Sequence, residues 1–331
     1  MAAAQMIELW RGGMLESLHS GHAVICDEKG EIVEAWGDPE LLMFPRSSCK
    51  IIQALPLIES GAAAKADLRQ DQLALCCASH RGALIHTVRV EKWLQDIGLS
   101  VDDLRCGAMV PPDAEARDFL YSTRQKPGQL HHCCSGKHAG FLTLNQHFGG
   151  DSEYVEVDHP VQKAVKAAFE EVTGMTSPGY GIDGCSAPNF TTTLHGLGRA
   201  MAFFARARDG GDLREQAAHR LTHAMMAYPE LVAGEGGCCT NLMRAMDGKA
   251  AVKFGAEAVY IAILPEQKRS IALKVLDGTK RGSEAAITAL LIRVGALDKN
   301  HPVVARYLTG PQTNSRGIVT GELRLAAGFA H

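Results

Sequence analysis

The sequence predicts an α+β fold, with an antiparallel sheet flanked by helices and a helical subdomain set between its halves. Two hairpins predict the sheet. HAVICDEKGEIVEAW, from His22 to Trp36, places apolar runs on both sides of Asp27-Glu28-Lys29-Gly30, the residue types of a tight turn. AVYIAILPEQKRSIALKVLDG, near the other end, does the same around Pro265 to Arg269. The third observation is helical spacing between them. Lys50 to Ser60, His86 to Ile97, Pro160 to Val172, Phe190 to Arg206, Leu213 to Ala227 and Glu284 to Val294 carry apolar residues three and four apart. Strands at both ends with helices between must assemble one sheet from distant segments. The expected organisation is one compound catalytic unit. Its α/β part comes from about 1–60 and 250–331, and its largely helical part from about 61–249.

Composition narrows the function classes. With 331 residues and 46% apolar content the chain can bury a large core. A net charge of -3 with both signs interspersed supplies no basic stripe for nucleic acid. No run of eighteen apolar residues occurs, and the opening MAAAQMIELW has neither a basic region nor a continuous apolar stretch. The expectation is a cytoplasmic protein without a membrane span. Six of the ten cysteines form the adjacent pairs Cys76-Cys77, Cys133-Cys134 and Cys238-Cys239. Neighbours bridge poorly, so reduced thiols are expected, most of them small core residues.

FPRSSCKIIQALPLIESG, from Phe44 to Gly61, opens the first helix and carries the first chemistry. Ser47 and Lys50 are three apart, one helical turn, so the lysine can serve as base for the hydroxyl if its pKa is lowered. The plain alternative is a capping serine and a solvated lysine. S-x-x-K of penicillin-recognising enzymes uses this spacing, and those enzymes follow it with K-T-G on a strand. Here Lys253-Phe254-Gly255 precedes a strand-like run, with Phe in place of Thr. A second lysine would depress the pKa of Lys50. Ser79, in CCASH after an apolar run, is a candidate proton relay or an ordinary turn residue.

A metal-like constellation follows. HHCCSGKHAG offers His131, His132, Cys133, Cys134, Lys137 and His138, and GIDGCSAPN adds Asp183 and Cys185 on a Gly-rich turn. Thiolates from two loops beside imidazoles suit Zn²⁺ in an open tetrahedral site. Buried free cysteines beside histidines give the same spacing, and spacing alone prefers His138 to Lys137 as the nitrogen ligand.

Together, FPRSSCKIIQALPLIESG, CCASH, HHCCSGKHAGFL, GIDGCSAPN, VAGEGGCCTNLMRAMDG, VKFGAEAVY and SRGIVTGEL resemble the rhizobial-type, class 3 L-asparaginases of the asparaginase II family, in order along nearly the whole chain. The resemblance implies a serine β-lactamase/glutaminase-like fold, a homodimer, and hydrolysis of L-asparagine to L-aspartate and ammonia. It implies Ser47 as nucleophile, Lys50 as its base, and Ser79 with Lys253 as a second, proton-relaying pair. It also implies Zn²⁺ on Cys134, Lys137 and Cys185, aiding substrate binding and not essential to the chemical step. Arg46, His138 and Asp183 then stand as substrate-side residues. Arg81, after Ser79-His80, and Cys49 depart from the family pattern. Rival readings are a glutaminase or penicillin-type serine hydrolase, a zinc-binding regulator without turnover, and a redox role for Cys49 or a cysteine pair.

Overall fold

A computed structural model describes residues 1–330 of the chain. The strands are β1 (Ala4–Arg11), β2 (Met14–Cys26), β3 (Ile32–Trp36), β4 (Leu42–Met43), β5 (Tyr180–Ile182), β6 (Pro188–Phe190), β7 (Thr192–Thr193), β8 (Ala251–Gly255), β9 (Val259–Leu264), β10 (Arg269–Val275), β11 (Pro311–Thr313) and β12 (Val319–Leu325). Eight form one antiparallel sheet in the order β11-β12-β1-β2-β10-β9-β8, with β3 added on β2. Both predicted hairpins are present. β2 turns into β3 where Asp27 Oδ1 accepts the backbone N–H groups of Lys29 and Glu31 at 2.9 and 3.0 Å. β9 turns into β10 through Pro265–Gln267 and Lys268, the latter at φ 49.

The N- and C-terminal parts of the chain meet at two ladders, β1–β12, where Ile7 pairs with Leu325, and β2–β10, where Ala23 pairs with Leu273 and Ile25 with Ile271. Residues of β9 and the last six of β2 are buried without alternation, as strands covered on both faces must be. The helix Leu194–Arg206 covers the face of Val24 and Cys26. A Cβ at Gly198 would sit 2.9 Å from Cys26 Sγ, so only glycine allows that approach. The helix Lys280–Arg293 covers the other face, where the His19 ring meets Gly282.

Two predicted helices differ in extent for local reasons. Lys50 to Ser60 is two pieces, Lys50–Gln53 and Leu55–Glu59, because Pro56 has no N–H to return to Ile52. The segment from Phe190 becomes helical only at Leu194, since β6 and β7 occupy its start and Thr193 caps Gly196 at 3.0 Å. Helices Gln70–Cys76 and Ser135–Phe148 form in the segments that read as an apolar run and a metal-like run. No helix among the described residues is long and apolar enough to cross a membrane.

Candidate active site

Three distant segments bring two lysines onto one hydroxyl. Lys253 lies on β8, opposite Ile261. Ser79 follows the helix Gln70–Cys76 and is held by its N–H to Val232 O at 2.9 Å. Lys50 begins its own helix. Ser79 Oγ stands 3.0 Å from Lys50 Nζ and 2.8 Å from Lys253 Nζ. Lys50 also donates to Ala78 O, and Lys253 to Phe254 O at 2.7 Å. Both lysines are 1% exposed, so two ammonium charges would face each other without water. Burial and then repulsion from Lys50 push Lys253 down to about 7. Burial acts on Lys50 in the same direction, but the thiolates of Cys134 and Cys133 outweigh it and hold Lys50 above its ordinary range. Lys253 is therefore the amine that is free to accept a proton near neutrality.

Ser47 sits beside this group on a tight turn. Arg46–Cys49 is one 3-10 turn, and Arg46 adopts φ 52, a left-handed conformation that costs a non-glycine residue on the order of 1 kcal/mol or more. Its two flanking peptide groups are pinned. Asn189 Oδ1 accepts the Arg46 N–H at 3.2 Å, and the Cys49 thiol donates to Arg46 O at 3.1 Å. Asn189 Nδ2 lies 3.9 Å from Cys49 Sγ, closing the brace. Gly255 completes it from the sheet side, because a Cβ there would meet Pro45 O at 2.5 Å and Ser48 N at 3.1 Å. Ser48 is fully buried and donates to Pro45 O at 2.7 Å. Ser47 is half-buried, and its hydroxyl has no hydrogen-bond partner among the described residues. The predicted Ser47–Lys50 bond is thus replaced by Lys50–Ser79.

The thiol cluster adjoins Lys50, whose ammonium it faces. Gly136 lets the helix Ser135–Phe148 pack on Leu75, since a Cβ would fall 2.6 Å from Leu75 O. This aims Lys137 at the turn between β5 and β6, where it donates to Cys185 Sγ at 3.0 Å. Burial works against the Lys137 ammonium, but the charges of Cys185 and Cys134 hold it above the usual range. Asp183, on the same turn, accepts from Arg46 Nη2 at 2.9 Å and from the Gly184 N–H at 2.7 Å. Burial opposes its ionisation, while Lys137 and Arg46 keep its carboxyl below the ordinary carboxylate range.

His138 is fully buried. Its Nδ1 lies 2.9 Å from Tyr154 OH, its Nε2 is unpartnered, and its ring stands beside Cys185. Burial pushes it down to about 4, so it is neutral. The two thiols, the Lys137 amine and this orphaned nitrogen suit a soft divalent cation. Among the described residues, the His, Cys and carboxylate ligand atoms that all lie within 4.8 Å of one another are those of His132, Cys133 and Cys134. In that set His132 Nδ1 already accepts the Cys134 N–H at 3.0 Å, leaving Nε2 alone.

The structure brings Ser47, Lys50, Ser79 and Lys253 into one region and Cys134, Lys137, Cys185 and Asp183 into an adjoining one, joined by Arg46. Sequence reasoning missed Asn189, although GIDGCSAPN ends on it. Cys133 was read only as one of several thiols. Its hydrogen bond with Cys134 lowers it to about 6 against burial, with Lys50 and Lys253 assisting. Burial pushes Cys49 up to about 12, so the thiol stays protonated and unreactive. Arg81 donates to Pro112 O at 2.9 Å.

Solved structures similar to the chain include a β-lactamase from Mycobacterium bovis, at TM-score 0.43 and 13% identity over 84% of this chain and 95% of that one. Another is a protein designated Mglu, at TM-score 0.48 and 11% identity over 85% of this chain and 68% of that one. A class C β-lactamase variant follows at TM-score 0.42 and 14% identity over 80% and 89%. No curated protein matches the chain by sequence. The sequence profile described as L-asparaginase II matches residues 7–325, which span the sheet, the lysine pair and the thiol cluster alike. The chain belongs to the L-asparaginase II family.

Proposed function

We propose that the chain is an L-asparagine amidohydrolase that works through a Ser47 acyl-enzyme. One observation carries the reading: a single buried hydroxyl, Ser79, is reached by both Lys50 and Lys253 beside the turn that presents Ser47. Lys253 takes the Ser79 proton, Ser79 takes one from Lys50, and Lys50 then accepts the proton of Ser47 as its oxygen attacks the side-chain amide carbon. The proton parked on Lys253 returns through Ser79 to the departing nitrogen, and ammonia leaves. Water cleaves the β-aspartyl ester, with the same groups restoring their protons. Arg46 and Asp183 form the polar clamp for the substrate's α-carboxylate and α-ammonium.

Cys134, Cys185 and Lys137, the last after the incoming cation displaces its proton, would hold Zn²⁺ at the thiol cluster. When bound it supplies a fixed positive charge for the amino-acid end of the substrate. Ammonia release from asparagine and glutamine, measured side by side in wild type and Ser47→Ala with zinc content determined, tests the reading. Faster release from glutamine would reassign the substrate, and release that survives in Ser47→Ala would remove the nucleophile.

A second reading makes Ser79 the attacking hydroxyl, because both amines face it and Ser47 has no partner. Ser79→Ala and Ser47→Ala separate the two: only the variant that lacks the nucleophile fails to form an acyl adduct.

A further inference from the structure

A cavity of about 550 Å³ opens on Ser79, with Cys133 of the thiol cluster also in its wall. Phe254, Tyr260, Tyr307, Met109 and Pro112 form the apolar part of its wall, and Arg81, Glu257, Lys280, Glu284 and Arg306 also line it. Neither Arg46 nor Asp183 lines it, while Gly255, in its wall, packs on the Ser47 turn. Ammonia, a water-sized molecule, needs only about 30 Å³. Space of this size is that of a small-molecule site.

The chemistry of the proposed reaction says what the space is for. A group that protonates the departing nitrogen must lie next to that nitrogen. Whatever is attached to the nitrogen therefore extends into the open volume beside the proton donor. Ser79 is that donor, and the cavity is the volume beside it. The geometry points to a leaving-group pocket: the enzyme accepts N4-substituted L-asparagines whose substituent is aromatic or alkyl. This rests on the amidohydrolase reading and on Ser79 as the relay.

The reaction balances as for asparagine. The amide C–N bond breaks, Ser47 Oγ takes the acyl carbon, and the nitrogen gains one proton through Ser79. Water then releases L-aspartate, so a primary amine replaces ammonia as the first product. The apolar part of the wall selects the substituent by burial, and the acyl end keeps the same clamp.

The experiment compares L-asparagine, N4-benzyl-L-asparagine and L-aspartic acid β-anilide with wild type and with Ala256→Phe. Ala256 lines the cavity and has no part in the proposed chemistry. Wild type is expected to release aspartate from all three. Ala256→Phe is expected to keep kcat/KM for asparagine within about twofold and to lose about tenfold or more on the two substituted amides, as overfilling a cavity does. Met109→Phe serves the same purpose should Ala256→Phe fail to fold, judged by its thermal melt.

Hydrolysis of asparagine without either substituted amide would overturn the pocket and leave the amidohydrolase reading standing. Equal losses on all three substrates in a folded variant would overturn it too, because the cavity would then hold the amino-acid end. Failure of wild type on every amide would remove the amidohydrolase reading, and the pocket with it.

Discussion

Lys253 is the residue whose ionisation the account depends on. Buried, and facing Lys50 across one hydroxyl, it titrates at about 7. The proposed relay needs it neutral, so protonation below that pH stops the relay. Log kcat/KM for asparagine is expected to rise with unit slope as pH climbs toward 7 and to level off above it. Lys253→Met should lower kcat by about 10² to 10⁴ and abolish that step in the pH profile. A profile flat from pH 5 to 8 would contradict the assignment. Cys49 makes the opposite point. Its spacing beside Lys50 made a reactive thiol conceivable, but its burial and its bond to Arg46 O make it part of the brace. Titration of the folded protein with a thiol reagent should leave Cys49 unmodified while Cys133, lower at about 6 and only half-buried, reacts first.

At the scale of elements, the Arg46–Cys49 turn is the part most exposed to small displacements. Gly255 of β8 lets the sheet edge approach the turn, because a Cβ there would meet Pro45 O and Ser48 N. Gly255→Ala should shift the turn enough to cut kcat by roughly 10²-fold while most of the fold survives. Circular dichroism unchanged beside lost ammonia release would show this. An active Gly255→Ala enzyme would show that β8 does not position Ser47. Asn189→Ala removes the acceptor of the Arg46 N–H, and should cost about 1–3 kcal/mol in chemical denaturation.

Local sequence carried these elements unevenly. S-x-x-K and K-F-G were readable because each is a fixed spacing on one segment. The brace was not, since it joins Asn189, Cys49 and Gly255, far apart in the chain. The bond from Lys50 to Ser79 was unreadable for a similar reason. Spacing along one helix favours Ser47, whereas packing against the turn after Cys76 delivers Ser79.

For the whole molecule, both hairpins and the joining of chain ends into one sheet were legible, since alternating and continuous apolar runs bounded by turn residues are local signals. β1, β11 and β12 were not: β1 meets β12 from the other end of the chain, and the local hairpins β1–β2 and β11–β12 join strands of modest apolar content. The helix Ser135–Phe148 was hidden behind its own cysteines and histidines, which read as ligands before they read as a helix. The thiol cluster it builds ties this helix to the β5–β6 turn. Cys185→Ser should therefore abolish zinc uptake measured by elemental analysis, raise KM for asparagine and lower the melting temperature of the zinc-loaded protein. Unchanged zinc content in that variant would shift the metal to His132, Cys133 and Cys134.

The central claim is that Ser47 carries the acyl group. Asparagine turnover quenched in acid, followed by peptide mass spectrometry, tests it most directly. A β-aspartyl ester is expected on the peptide containing Ser47 in wild type, diminished in Lys253→Met because the relay that activates Ser47 is broken, and absent from Ser47→Ala. An adduct on Ser79, or turnover in Ser47→Ala at the wild-type rate, would contradict it.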